Sequence, residues 1–168
     1  LDAVTVRVAQ DIGMSVVADY AERMGVYDHL PHFLANSIGA GDTTLLRMAS
    51  GYAVFVNGGH KITATLVDRI QDRHGKTVYR HDTRPCEGCD AADWHNQEEP
   101  LLPDDRPNVL SPQTSYQIVS LMEGVVQRGT GATVASVGKP LAGKTGTTND
   151  AKDTWFIGFS PDLLCGVF

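Results

Sequence analysis

The chain has 168 residues, 42% of them hydrophobic and 20% charged, the balance of a globular domain, or part of one, with a core of its own, which excludes intrinsic disorder. Twenty acidic against fourteen basic residues give a net charge of −6, with no basic run to neutralise a row of phosphates, so nucleic acid is not an expected partner. No stretch reaches the ~18 apolar residues that span a bilayer.

From the first residue, "DAVTVRVAQDIG" sets Val4, Val8 and Ile12 on one helical face and stops at Gly13, which tolerates the left-handed conformation after a last turn. A second helix follows, capped by Ser15, with Val17, Tyr20, Ala21 and Met24 at helical spacing and Gly25 as its stop. A third runs from Asp42 or Thr43 through Leu45, Leu46, Ala49, Tyr52, Ala53 and Val56 to "NGG". All three read as core helices. The period then changes. Ile62, Ala64, Leu66 and Val67 to Ile70 precede a turn at Arg73 to Gly75 and the β-rich "KTVYR", which predicts a hairpin. Residues 81–108 hold Pro85, Pro100, Pro103 and Pro107 outside any period and read as a long surface excursion.

Order returns at "SPQTSYQIVSLMEGVVQRG". Ser111 is a cap, Pro112 takes the favoured first helical position, Ile118, Leu121, Met122, Val125 and Val126 form the apolar stripe, and Gly129 ends it. Strands are expected at 141–148, 154–160 and 163–168. The chain opens at Leu1 inside a helical pattern and stops within the apolar run "LLCGVF", so it is expected to be a piece of a longer protein, with apolar surface left uncovered at the sheet edge.

One stretch, "GKPLAGKTGTTND" from Gly138 to Asp150, carries two incompatible readings. Gly138, Gly143, Lys144 and Thr145 match the pattern of a nucleotide phosphate cradle, which requires a buried strand before the glycines and a helix beginning at the lysine. The preceding "GTGATVASV" is too small and polar for a central parallel strand, and the following "GTTND" disfavours helix. The alternative is an extended strand with Lys144 on it and a glycine where a ligand approaches the backbone; "LAGKTGTT" supplies both.

Lys144, Thr145 and Gly146 spell K-T-G, one of three motifs shared by penicillin-binding proteins and class A β-lactamases. Around it, "TVRVAQDIGM", "GAGDTTLLRMASGYAVFVNGG", "DRHGKTVYR", "GVVQRGTG", "LAGKTGTTND" and "DTWFIGFSPDL" occur in one order. In these six blocks the chain resembles the transpeptidase domain of class A penicillin-binding proteins, the bifunctional peptidoglycan synthases. The resemblance implies an α/β (α+β) serine-transpeptidase fold, an antiparallel sheet flanked by helices, of which residues 1–168 form the C-terminal part with a loop insertion at about 81–108. It implies acyl transfer on peptidoglycan stem peptides or a lipid-linked precursor, acylation by β-lactams, no cofactor, and an extracytoplasmic location on a parent anchored in the plasma membrane; K-T-G does not distinguish the acyl acceptor, so a D,D-carboxypeptidase or β-lactamase-type hydrolase, and a module that binds cell-wall peptide without turnover, stay as alternatives.

Residue by residue, the same resemblance gives Lys144 the catalytic place, facing the nucleophile and attracting the substrate's terminal carboxylate. Thr145, Gly146 and Thr147 become the substrate-binding edge, with the Thr147 hydroxyl holding that carboxylate and its N–H forming half of an oxyanion hole. The nucleophile, an S-x-x-K at a helix start, is expected before Leu1. "SVGK" from Ser136 to Lys139 matches those letters but precedes Pro140, which pushes Lys139 away from helix, so it is read as a decoy. Asp2 falls on the third position of the family's S-x-N motif and exchanges an amide donor for an anion.

The remaining candidates are assigned no catalysis. His29, His32, His60, His74, His81 and His95 share no ligand spacing. Cys86 and Cys89 lack a second metal-ligand pair, so no metal site is expected; a disulfide and two free thiols both stay open, with the former favoured for an exported protein. Cys165, in an apolar run, is expected to be buried. Alternation sends Trp155 and Phe156 to opposite faces of the sheet, at least one into the core.

Overall fold

The computed structural model describes residues 2–87, 89, 93, 95–148 and 152–168. The chain divides into two compact units, Leu1–Ile62 with Pro107–Phe168, and Thr63–Arg106.

The first unit begins with α1 (Asp2–Ile12), and α2 (Met14–Arg23) follows immediately across Gly13, whose φ of 88° is the conformation expected of it. Gly13, not Ser15, is the residue before α2, and no side chain caps this helix. The helix begins two residues earlier than a Ser15 cap implies, because Gly13 alone interrupts the helical backbone and Met14 enters the next helix at once. The buried faces also differ from the expectation. Ala9 of α1 and Met14 and Ala18 of α2 are buried, whereas Val4, Val8 and Ile12 are more than half exposed. The apolar stripe of α1 is therefore not core among the described residues, which leave Val4, Val8 and Ile12 uncovered.

A 3₁₀ turn at Leu34–Ile38 precedes α3 (Leu45–Val56). That helix starts two or three residues later than its apolar pattern, since Thr44 stays extended and accepts from the Arg47 N–H as a side-chain cap, a contact worth about 0.5–2 kcal/mol. Val54, on α3, is completely buried. In α4 (Pro112–Arg128) the Ser111 hydroxyl accepts from the Thr114 N–H, as the sequence predicts. Met122 and Val126 are buried but Leu121 is 71% exposed, so the buried stripe is narrower than the pattern implies. A further 3₁₀ turn, Ala132–Val137, was not legible in the composition.

Three strands close the unit: β3 (Ala142–Thr147), β4 (Thr154–Phe159) and β5 (Leu164–Val167), each within the expected ranges. They form an antiparallel sheet in the order β3-β4-β5, with Lys144 opposite Ile157 and Thr145 opposite Phe156. Met122 of α4, Ala142 of β3 and Phe159 of β4 make the core that joins helix to sheet, with Tyr52, Phe55 and Val56 of α3 packed on it. Cys165 of β5 is exposed, not buried as expected, because side chains alternate along the strand and its face is uncovered.

In the second unit, β1 (Arg69–Gln71) and β2 (Thr77–Arg80) form the expected hairpin with a shorter first strand. Asp72 organises its turn, accepting from the backbone N–H groups of His74 and Lys76 while Gly75 takes φ 82°. The described residues between Arg80 and Asn108 form no helix or strand of their own. Cys86 and Cys89 are joined as a disulfide, with Cα atoms 5.6 Å apart.

Candidate active site

β3 is an edge strand among the described residues, paired with β4 on one side only. Half of its backbone N–H and C=O groups therefore point away from the sheet, available to an extended ligand. Alternation along the strand sets Lys144 and Gly146 on one face with Ile157 and Trp155, and Thr145 and Thr147 on the other with Phe156 and Thr154. This places Lys144 on an extended strand, not at a helix N-terminus, which removes the nucleotide reading.

A cleft of about 590 Å³ opens over this strand. Lys144, Thr145, Gly146, Thr147 and Thr148 form one wall, Trp155 and Ile157 of β4 with Phe168 its floor, and Asp2 with residues 38–43 the remaining sides. All four residues predicted for the site thus line one cavity, and Asp2, which the resemblance sets at the third position of S-x-N, lines it with them. Ser136 does not; it lies in the 3₁₀ turn with its hydroxyl donating to the Thr133 carbonyl at 3.0 Å. No serine or cysteine is among the described residues lining the cleft.

Lys144 is exposed, and its ammonium donates to the Thr145 carbonyl at 2.6 Å. It is the single cation among the described lining residues, against the carboxylates of Asp2, Asp42 and Asp153. The Thr145 hydroxyl lies 2.8 Å from that of Thr130, in the turn after α4. Gly146 leaves the strand low: a Cβ there would reach the Trp155 Cβ at 3.4 Å. Trp155, half-buried, stacks at a tilt on Phe168 with ring centroids 4.8 Å apart. Phe156 turns to the opposite face over Gly143 and Gly158. The aromatic pair is split between faces as expected, but neither ring is fully buried, and Trp155 floors the cleft.

The segment 39–43 is pinned from below. The Tyr27 hydroxyl donates to the Gly41 carbonyl at 3.0 Å and the Thr43 hydroxyl to the Val26 carbonyl at 2.7 Å. Burial, and secondarily the negative charge of Asp42, holds the Tyr27 hydroxyl above its ordinary pKa, so it stays a neutral donor at physiological pH. A Cβ on Gly41 would meet that hydroxyl at 3.1 Å, which is why a glycine fits here. Sequence reasoning did not single out Tyr27, Asp42, Asp153 or Phe168 as cleft residues. No local pattern marks them, because they converge from four separate segments.

The arrangement offers one ammonium, a free strand edge, several hydroxyls and an aromatic floor. That set can hold an extended peptide by its main chain and its carboxylate by Lys144.

The family described as "Penicillin binding protein transpeptidase domain" matches residues 2–163. Penicillin-binding protein 1A of Rickettsia prowazekii is 40% identical over 167 residues, 98% of this chain and 21% of that protein. Penicillin-binding protein 1A of Haemophilus influenzae, a crystal structure, superposes with a TM-score of 0.73 at 25% identity, covering 94% of this chain and 26% of that one. The imipenem acyl-enzyme complex of penicillin-binding protein A from M. tuberculosis shares the fold, with a TM-score of 0.65 at 20% identity over 93% of this chain and 36% of that one. The chain spans about a fifth of the length of the curated relatives it matches.

Proposed function

The chain belongs to the penicillin-binding protein transpeptidase domain family, and from that premise we propose that it forms the strand wall of the cleft in which a serine-type D,D-transpeptidase cross-links peptidoglycan stem peptides and is acylated by β-lactams. The observation that carries this is the place of Lys144: an ammonium on the open edge strand β3, over a cleft whose other described side is closed by Asp2 and residues 38–43.

In this reading the nucleophilic serine belongs to the parent's preceding segment, with its S-x-x-K lysine. Lys144 draws in the stem peptide's terminal carboxylate and assists proton movement at the serine hydroxyl. The Thr147 hydroxyl holds the same carboxylate, and the Thr147 N–H joins that of the serine in binding the oxyanion of the tetrahedral intermediate, a donor worth about 2.7–4 kcal/mol in barrier. Thr145 and Gly146 carry the backbone edge along which the peptide lies, and Gly146 keeps it unobstructed. Departure of the terminal residue leaves an acyl-serine, which an amine of a second stem peptide resolves; a β-lactam forms the same ester and is not released.

The parent is anchored in the plasma membrane with this domain outside the cytoplasm, and the Cys86–Cys89 disulfide fits an oxidising compartment. A second reading is favoured by one observation. Among the described residues of the cleft three carboxylates accompany a single ammonium, with Asp2 where the family resemblance sets the third position of S-x-N, and such a site suits a module that binds cell-wall peptide without turnover. Fluorescent penicillin separates the two. Covalent labelling of the full-length protein, with none of the 168-residue chain alone, supports the transpeptidase; reversible peptide binding with no covalent label in the full-length protein supports the binder.

A further inference from the structure

The turn that follows α4, Gly129-Thr130-Gly131, is built more tightly than a connector requires. The N–H groups of Gly129 and Gly131 both donate to the Val125 carbonyl at 3.1 Å, and the next two turns of backbone close onto them, Ala132 N–H to Gly129 and Val134 N–H to Gly131. A Cβ on Gly129 would lie 2.9 Å from the Val125 Cα and carbonyl oxygen, so only glycine passes there without displacing α4. A Cβ on Gly131 would lie 3.4 Å from Val125 and 3.7 Å from the Phe156 ring, ordinary contact distances in the same turn. The consequence is that the one side chain between the two glycines is held in place, and its hydroxyl lies 2.8 Å from the hydroxyl of Thr145, fifteen residues on.

Thr145 is flanked by Lys144 and Gly146 and points to the face of β3 opposite theirs. Among the described residues β3 is paired along one edge only, so the neighbouring strand restrains its twist from one side. A hydrogen bond from a fixed turn to the middle residue of the strand restrains it from a second direction. We propose that Thr130 is a positioning residue of the acyl-transfer site: through the Thr145 hydroxyl it sets the twist of β3, and thereby where the Lys144 ammonium and the Thr147 N–H stand in the cleft. The proposal rests on the transpeptidase reading and assigns the Thr145 hydroxyl to support of the strand, leaving its backbone to the substrate. Displacement of reacting groups by a fraction of an ångström is costly in acyl transfer, whereas either threonine hydroxyl alone is chemically inert here.

The test uses the full-length protein with Thr130→Val, Thr130→Ser, Thr145→Val and the Thr130→Val/Thr145→Val pair, each acylated by a fluorescent penicillin over a concentration series that separates the saturating rate from the binding constant. Thr130→Val is expected to slow the saturating acylation step about tenfold, Thr145→Val to match it, and the pair to be no slower than either single variant, since one hydrogen bond is lost in all three. Thr130→Ser, which keeps the hydroxyl, is expected to stay within about twofold of the unsubstituted protein. A general packing defect would not be rescued by serine. Acylation of Thr130→Val at the unsubstituted rate, additivity in the pair, or failure of serine to rescue overturns the proposal. Hydrogen exchange of the β3 amides gives a readout independent of labelling: about tenfold faster exchange at residues 142–147 in Thr130→Val but not Thr130→Ser is expected, and unchanged exchange overturns the proposal. Absence of label in the unsubstituted protein would instead sink the transpeptidase reading, while exchange still decides whether Thr130 holds the strand.

Discussion

Replacing Gly59 by alanine isolates the contact that docks the start of α4 onto the end of α3. Gly59 has φ 99°, donates its N–H to the Val54 carbonyl at 2.8 Å, and accepts from the N–H groups of Val109 and Leu110 at 2.8 and 3.2 Å. A Cβ built on it would lie 2.0 Å from the Leu110 carbonyl oxygen and 2.8 Å from that residue's carbonyl carbon, both backbone atoms that no side-chain rotation can clear. Its neighbour Gly58 is the control: φ is 63° and a Cβ there meets nothing within 4 Å. Gly58→Ala therefore bears only the left-handed backbone cost, about 1 kcal/mol. Gly59→Ala bears a positive-φ cost of about 1–2 kcal/mol and an overpacking cost of about 1–3 kcal/mol, together about 2–5 kcal/mol. At about 2–4 °C per kcal/mol for a domain of this size, Gly58→Ala is expected to lower the unfolding midpoint by about 2–4 °C and Gly59→Ala by about 4–20 °C. Scanning calorimetry or a dye-based melt of the two variants side by side reads the difference. Equal shifts would mean that the Leu110 carbonyl does not lie over Gly59, and the account of how α4 is seated against α3 would fail.

In the full-length protein, Lys144→Ala is expected to slow acylation by fluorescent penicillin between about fivefold and about a thousandfold, the span from a solvated to a partly desolvated charge pair, while Ser136→Ala stays near the unsubstituted rate; loss of label in Ser136→Ala would make "SVGK" the nucleophile. The Ser115 hydroxyl is 1% exposed with no partner among the described residues, so Ser115→Ala is expected to raise the melting midpoint by about 2–4 °C, and a lowered midpoint would reveal a partner. The Arg84 side chain and backbone N–H, both bonded to the Asp82 carboxylate, hold its pKa well below the ordinary carboxylate range. A depressed folded pKa contributes stability above the unfolded value that is lost as pH falls towards the folded one, so carboxyl NMR is expected to show Asp82 titrating below its peers, and Arg84→Gln, which removes the guanidinium and keeps the backbone N–H, to raise it part of the way back; an Asp82 that titrates normally in the unsubstituted protein refutes the pairing.

Features set by neighbours a few residues away are legible in the sequence alone. The Ser111 cap with Pro112, the stops at Gly13 and Gly25, the turn at Gly75 and the strand character of "LAGKTGT" depend on local φ preferences and nearby hydrogen bonds, and the structure places them within a residue or two of expectation. The motif of Lys144, Thr145, Gly146 and Thr147 is legible for the same reason, since strand alternation and a low glycine edge are local geometry. Burial is not local. Val4, Val8 and Ile12 carry the same apolar spacing as a core stripe, yet they are exposed because burial depends on what lies opposite, and the same holds for Leu121 and Cys165. Nor could the sequence bring Asp2, Tyr27, Asp42 and Phe168 to one cleft with Lys144, or set Thr130 against Thr145. Those meetings are made by the packing of α3 and α4 on the sheet and by the register of β3 on β4, which tertiary contacts decide and no single segment encodes.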